Sequence, residues 1–231
     1  MATPSGNHEV RAETSKWVAA LDRLSPYWAP QLVVAVAILL DLALAGQLTI
    51  GPRWLLPAVE GGLLIALVMI LPHPRVRHTA LRRYLSMGFI GLVSAVNAVS
   101  LGLLVHYLLH SHTSNGRTLV YSGVVLWVTN VLLFGLWYWE LDRGGPVARR
   151  EREHAVADFL FPQMTVRRWA PKGWIPGLID YLYTSFTNAS AFSPTDTMPL
   201  TATAKWLMAA QASISLVTIG LVVARAVNIL S

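Results

Sequence analysis

The chain has 231 residues, of which 54% are hydrophobic and only 13% are charged, and its mean hydropathy is +0.49. This composition excludes an ordinary soluble domain and indicates several membrane-spanning segments. The chain has no cysteine, which excludes disulfides and thiolate metal sites. The net charge of +6 does not indicate nucleic-acid binding, because the cations flank apolar segments, as the positive-inside rule requires.

Five apolar stretches are long enough for a transmembrane helix, which needs ~20 mostly apolar residues. Each must be helical, because in lipid every backbone polar group has to be paired within its own segment. A shorter segment near 175–191 is expected to cross only half of the membrane. The predicted fold class is therefore all-α, a polytopic membrane protein with about five transmembrane helices plus one re-entrant pore-like half-helix and loop. The predicted spans are Ala29–Ile50, Trp54–Pro72, Met87–His110, Leu119–Trp139 and Thr203–Leu230.

These segments divide the chain into four parts: a polar and amphipathic N-terminal segment (1–28), a four-helix membrane region (29–141), an amphipathic connecting segment (142–174), and a pore-like helix, loop and last transmembrane helix (175–231). The run from Glu140 to Pro146, with two glycines before the proline, predicts a sharp stop after the fourth span. Glycines within the spans are expected to allow close helix packing; they are Gly88, Gly91, Gly102 and Gly135.

The last part resembles the pore-loop domain of tetrameric potassium-channel-like cation channels. That family carries the pattern D-x-x-P-x-T directly after its selectivity filter, with a basic residue a few positions later. Here Asp196, Pro199 and Thr201 match the pattern, Lys205 follows them, and Ser185 opens the end of the predicted pore helix. The resemblance covers Asp180–Ser231 and implies a homo-oligomeric cation pore, a tetramer being favoured.

The centre of this region departs from the family. The five filter positions, T-V-G-Y-G in potassium channels, are here Ala191, Phe192, Ser193, Pro194 and Thr195. A ladder of backbone carbonyls around an ion needs residues in left-handed backbone space, which glycine enters most easily, and no glycine lies between Thr184 and Thr201.

Ion ligands at such a loop are therefore expected to be hydroxyls, with a ring of carboxylates from Asp196, and selectivity is expected to be weak or unusual. The predicted hydroxyl ligands are Thr187, Ser190, Ser193 and Thr195. The alternative interpretation is that the loop is only a buried turn between two helices, since Ser-Pro and Thr-Asp are ordinary turn sequences.

Charge bias gives a topology that conflicts with this resemblance. Arginines at 75, 77, 82 and 83 predict that residues 73–86 are cytoplasmic. The long basic segment 142–173 then also lies inside, so the pore-like loop enters from the cytoplasm, opposite to potassium channels. Either the pore is inverted, as in ionotropic glutamate receptors, or 142–173 is an extracellular cap.

Ionisable residues inside predicted spans are functional candidates, because burying a charge in lipid is costly. Asp41 and Glu60 lie at similar depths in the first two spans, and Arg225 lies in the last. The two acids support an alternative function, a proton- or ion-coupled secondary transporter, unless they are protonated structural acids. A second alternative is a non-conducting membrane scaffold.

Other chemistry finds little support in the sequence. His106, His110 and His112 favour a polar cluster at head-group level over a metal site. There is no catalytic constellation and no phosphate-binding glycine loop, so an enzyme is disfavoured. No cofactor is expected beyond a monovalent cation and bound lipid. The expected partners are membrane lipids and further copies of the chain, without nucleic acid, in a bacterial inner membrane.

Overall fold

A computed structural model describes residues 31–40, 61–62, 80–110, 116–151, 156–166, 168, 170–171, 173–190 and 196–230, and every structural statement below concerns those residues. The described chain is mostly helical, with one very short two-stranded sheet. In chain order the elements are α1 (Gln31–Leu40), α2 (Ala80–His110), α3 (Gly116–Leu141), a 3-10 turn (Asp142–Gly144), α4 (Pro146–Glu151), β1 (Phe159–Leu160), α5 (Pro162–Thr165), α6 (Leu178–Ser190), β2 (Met198–Pro199) and α7 (Ala202–Leu230).

Three of these helices are long and apolar enough to cross a membrane. Their apolar stretches are Arg83–His106 in α2, Thr118–Gly144 in α3 and Ala202–Ala224 in α7. They correspond to the third, fourth and fifth predicted spans, which confirms these three predicted helices and indicates a membrane protein. Helix α1 covers part of the first predicted span, and the second lies outside the described residues apart from 61–62, which are helical.

Helix α3 is the centre of the bundle and contacts α2, α6 and α7. The Asn130 amide donates to the Ser215 hydroxyl at 2.9 Å, and the Tyr138 hydroxyl donates to the Gln211 side chain. Residue numbers rise along α3 while those of their partners fall along α7, so the two helices are antiparallel. The Trp137 indole N–H donates to the Ser94 hydroxyl of α2 at 3.0 Å.

The main apolar core surrounds the second half of α3. It continues into α1, α2, the connecting segment, α6 and the start of α7, and its most enclosed side chains include Val93, Leu133, Leu136, Tyr138, Phe159 and Tyr181. Tyr181 packs edge-on against two neighbouring rings, with centroids 6.2 Å from Phe159 and 5.2 Å from Phe161. Aromatic packing therefore joins the connecting segment to the helical bundle.

The chain turns sharply after α3, as the sequence predicts. Arg143 has φ = 54°, and Gly144 and Gly145 follow with φ = 82° and 102°. Left-handed values suit glycine, whereas a non-glycine residue such as Arg143 rarely adopts them. A side chain at position 145 would also meet the Glu140 carbonyl oxygen at 3.2 Å.

From Thr197 to Thr201 the chain lies near the end of the bundle where α6 begins. The Thr184 hydroxyl donates to the Thr197 hydroxyl at 3.2 Å. Three residues later, the Leu200 N–H donates to the Asp158 carbonyl at 2.8 Å. Strand β2 pairs antiparallel with β1, Phe159 opposite Pro199 and Leu160 opposite Met198. Helix α7 therefore starts at the same end of the bundle as α6 and runs in the same direction.

Gly135 allows α3 and α6 to approach closely. A Cβ at this position would lie 2.6 Å from Leu182 Cδ2 and 3.1 Å from Leu182 Cα. The expected close packing is therefore confirmed for Gly135. At Gly88 and Gly102 no atom of the described residues lies within 4 Å of a Cβ, so close packing there stays a prediction. At Gly91 the nearest atom, on Trp137, is at an ordinary 3.7 Å.

We expect Gly135→Ala to destabilise the protein by about 1–3 kcal/mol, because the added methyl group would force the two backbones apart. The apparent Tm of the purified protein in detergent measures the effect. Gly102→Ala is the matched control, since its methyl group enters open space. Equal Tm values for the two variants would contradict the close approach of α3 and α6.

Candidate functional site

The described part of the predicted ion site lies at the end of α6. Thr187 is buried, Ser190 is half-buried and Asp196 is exposed. The other predicted positions, Ala191, Phe192, Ser193, Pro194 and Thr195, lie outside the described residues. The structure therefore places the two ends of the predicted loop and tests none of its central ligands.

The two hydroxyls at this end of α6 donate to carbonyls of their own helix. Thr187 Oγ1 lies 3.0 Å from the carbonyl oxygens of both Tyr183 and Thr184. Ser190 Oγ donates to the Thr187 carbonyl at 3.0 Å. A hydroxyl that donates its proton keeps lone pairs that can accept, so these oxygens have the polarity that a cation ligand requires.

Helix α6 presents one apolar and one polar face. The apolar face is exposed and carries Ile179, Tyr183 and Phe186. The opposite face carries the buried side chains of Thr184 and Ser185, with the half-buried Asn188 beside them. Thr187, four residues after Tyr183, lies at the edge of the apolar face and is also buried. Hydroxyls and an amide are costly to bury unless they are hydrogen-bonded, so this face requires partners on the neighbouring helices.

Gln211 of α7 provides most of those partners. Its amide Nε2 donates to the Ser185 carbonyl at 3.0 Å and to the Ser185 hydroxyl at 2.6 Å. Its Oε1 accepts from Asn188 Nδ2 at 2.8 Å and from the Tyr138 hydroxyl of α3. The Ser185 hydroxyl donates in turn to the Val131 carbonyl at 2.7 Å. These residues, which we call the polar clamp, hold α6 between α3 and α7.

A second group of polar residues, the charged anchor, lies where α6 begins. It consists of Asp142, Arg149, Asp158, Tyr181 and Thr201. The Asp142 carboxylate, which is fully buried, accepts the Asp158 N–H at 2.8 Å and the Phe159 N–H at 3.4 Å. It also accepts the Tyr181 hydroxyl. The end of α3, the connecting segment and the start of α6 therefore share one carboxylate.

Arg149 supplies the positive charge of the anchor. Its Nη1 lies 3.8 Å from the Asp142 carboxylate and donates to the carbonyls of Trp139 and Asp142 at 3.1 and 3.2 Å. The guanidinium carbon lies 4.9 Å from the centre of the Tyr181 ring, a cation–π distance. Burial lowers the pKa of Arg149, and the neighbouring Asp142 carboxylate opposes that shift.

Asp158 connects the anchor to the returning chain. Its carboxylate accepts the Thr201 hydroxyl at 2.7 Å and the Arg143 N–H at 3.0 Å. Thr201 Oγ1 also accepts the Ala204 N–H at 3.3 Å, so this threonine caps α7. Thr201, which the family resemblance singles out, therefore fixes the point where the return segment ends and α7 begins.

The acidic members of the anchor, Asp142 and Asp158, are not among the site residues predicted from the sequence. Asp142 comes three residues after Trp139, where the fourth predicted span ends, and this position was a usable signal because a buried acid at a span end needs partners. The other candidates stay untested, because Asp41, Glu60 and His112 lie outside the described part, as do the side chains of His110 and Arg225. Among the side chains that the structure describes, no group of three or more histidine or acidic residues is placed to hold a metal ion.

Comparison with protein-family models, with curated proteins and with solved structures found no match to this chain.

We expect Asp142→Asn to destabilise the protein by about 3–5 kcal/mol, because the buried Arg149 would lose its nearest counter-charge. The apparent Tm in detergent reports the loss. Asp196→Asn removes the same charge at an exposed position, so its effect is expected to stay within ~0.5 kcal/mol.

The double variant Asp142→Leu with Arg149→Met removes both charges together and is expected to recover part of the lost stability. If Asp142→Asn and Asp196→Asn had the same Tm, the Asp142 carboxylate would not stabilise the fold as the charged anchor requires.

Proposed function

We propose that the chain forms a cation-conducting pore as a homo-oligomer, with a tetramer favoured, and that the segment Thr187–Asp196 lines its narrow part. The observation that supports this most is the path of the chain. Helix α6 precedes the loop and helix α7 follows it. Both helices start at the same end of the bundle and run in the same direction, and the loop and return segment connect them in sequence. Helix α3 runs antiparallel to α7.

In this proposal α6 is a re-entrant helix. Its 13 residues extend about 20 Å, short of the ~30 Å hydrocarbon core. A re-entrant loop is tolerated in the membrane only where protein or a water-filled cavity covers its backbone. The polar clamp supplies such protein cover on one side of α6, and neighbouring subunits would supply the rest.

The proposed pore loop enters from the cytoplasmic side. The basic residues Arg83 and Arg149 lie at the end of the bundle where α6 begins, since Arg83 is at the start of α2 and Arg149 follows α3. By the positive-inside rule this end faces the cytoplasm. Of the two ways to reconcile charge and resemblance, this arrangement favours an inverted pore over an extracellular cap.

Side chains rather than backbone carbonyls are the proposed ion ligands. The hydroxyl oxygens of Thr187 and Ser190 retain lone pairs, and Asp196 is exposed near the other end of the loop. One chain offers too few ligands to surround an ion, so the site is complete only when several copies meet on an axis. The resulting site is expected to discriminate weakly between monovalent cations.

A non-conducting scaffold is the second candidate. It is favoured by the observation that the hydroxyls of Thr187 and Ser190 already donate within α6. Under this proposal the loop is a structural turn between α6 and α7 and coordinates no ion.

The oligomeric state separates these candidates first. Two-dimensional class averages of the protein in nanodiscs are expected to have fourfold symmetry with the Ser185–Thr201 region near the axis. A monomer or dimer would eliminate the pore, because a single loop cannot ring an ion.

We further expect Asp196→Asn to lower single-channel cation conductance severalfold in planar bilayers, because a ring of carboxylates concentrates cations at the pore mouth. Asp196→Glu keeps the charge and is the matched control, expected to conduct like the parent protein. Equal conductance in all three proteins would exclude the proposed role of Asp196.

A further inference from the structure

The last turn of α6 contains carbonyl groups that the helix itself cannot pair. The final four C=O groups of an α-helix have no N–H partner within the helix, and a carbonyl that is buried away from water needs a donor. Ala189 is fully buried and lies in this turn, between the proposed ligands Thr187 and Ser190. Its carbonyl therefore requires a donor from another part of the structure.

Trp127 of α3 supplies this donor. Its indole N–H donates to the Ala189 carbonyl at 3.4 Å, a long hydrogen bond. The same side chain packs edge-on against Phe186, with ring centroids 5.9 Å apart and an interplanar angle of 72°, which is a favourable aromatic geometry. Phe186 directly precedes Thr187, and Ala189 directly precedes Ser190. Trp127 therefore contacts the immediate neighbours of both proposed ligands.

The other hydrogen bonds that hold α6 lie earlier in the helix. The polar clamp binds Ser185 and Asn188, whereas the hydroxyls of Thr187 and Ser190 donate to carbonyls of α6 itself. Among the described residues, the bond from Trp127 is therefore the last along α6 that joins it to a neighbouring helix. Helix ends tend to fray, so the final turn depends on this contact.

We propose that Trp127 is a positioning residue for the ion site, because it holds the last turn of α6 and thereby the oxygens of Thr187 and Ser190. This inference rests on the proposed function. A binding site works only when packing and hydrogen bonds from surrounding residues hold its ligands within ~0.5 Å of the required geometry. Loss of the Trp127 contacts is therefore expected to weaken ion binding rather than to unfold the bundle.

The test is the half-saturating K⁺ concentration of single-channel conductance in planar bilayers, which depends on ion binding and not on the amount of folded protein. Trp127→Phe removes the N–H donor and keeps an aromatic ring beside Phe186. It is expected to raise this concentration about threefold, as the loss of one neutral hydrogen bond implies. Phe186→Leu removes the other contact, at an exposed position, and is expected to shift the concentration in the same direction.

Trp137→Phe is the matched control. Trp137 is also a half-buried tryptophan of α3, but its N–H donates to Ser94 of α2 at 3.0 Å, away from α6. This variant loses the same kind of hydrogen bond and is expected to keep the half-saturating concentration of the parent protein. An unchanged concentration in Trp127→Phe channels, or an equal rise in Trp137→Phe channels, would overturn the positioning role.

A second measurement is independent of conduction. The chain has no cysteine, so Ser190→Cys places a single thiol at the end of α6. Its rate of modification by N-ethylmaleimide in detergent is expected to rise about fivefold in the Trp127→Phe background, because a released helix end opens more often. In the Trp137→Phe background the rate is expected to stay unchanged.

Equal thiol rates in the two backgrounds would show that Trp127 does not hold the end of α6, and this would overturn the inference. A parent protein that carries no current would instead exclude the proposed pore, and with it any role of Trp127 in ion binding. The thiol rates would still decide whether Trp127 holds the last turn of α6.

Discussion

The buried carboxylate of Asp142 is the constraint on which the arrangement of the C-terminal half depends. It sits at the end of α3 and receives bonds from the connecting segment and from Tyr181 of α6. Such a carboxylate is tolerated only when its charge and its lone pairs are all compensated. Arg149 supplies the charge, and the N–H and hydroxyl donors supply the bonds. Because the partners come from α4, from the start of β1 with the residue before it, and from α6, compensating this one group fixes where these elements meet.

The polar clamp extends the same logic into the apolar region. A membrane offers no water to hydrogen-bond a glutamine or a serine, so Gln211 and Ser185 must satisfy each other and their neighbours. Gln211 uses both its amide nitrogen and its oxygen, and reaches α6 and α3 together. Polar contacts of this kind fix the orientation of α6 relative to α3 and α7. Packing of aliphatic side chains alone would define that orientation less well.

Hydropathy predicted α2, α3 and α7 because a sufficiently long apolar run can pair its backbone polar groups in lipid by forming a helix. The start of α2 was placed too late, at Met87 instead of Ala80. Helix α2 begins before the apolar run, at residues that include arginines. Arginine is tolerated near the end of a span, because its aliphatic stem can lie along the apolar surface while its charge points outward. The stop after α3 was predictable from its two glycines and proline.

The charged anchor was not predictable in the same way. Asp142 and Tyr181 are 39 residues apart, and nothing local to either residue indicates the other. The basic character of 142–173 was interpreted as a topological signal, which hid the fact that Arg149 is buried. Ser185 was singled out by resemblance, but its partnership with Gln211 follows only from the packing of two helices. The centre of the predicted ion site, from Ala191 to Thr195, lies outside the described residues and stays a prediction.

The contacts that hold both ends of the loop affect the ion selectivity expected of the proposed pore. On one side, α6 is held by the polar clamp as far as Asn188. On the other, Thr197 contacts Thr184, and Thr201 is bound to Asp158. A chain held at both ends and lacking glycine has little freedom to turn successive carbonyls toward an axis. Hydroxyl and carboxylate side chains do not require that backbone conformation. They are also more mobile than a carbonyl ladder, so a site built from them would match ions of different radius with similar energies, which is the physical reason to expect weak selectivity.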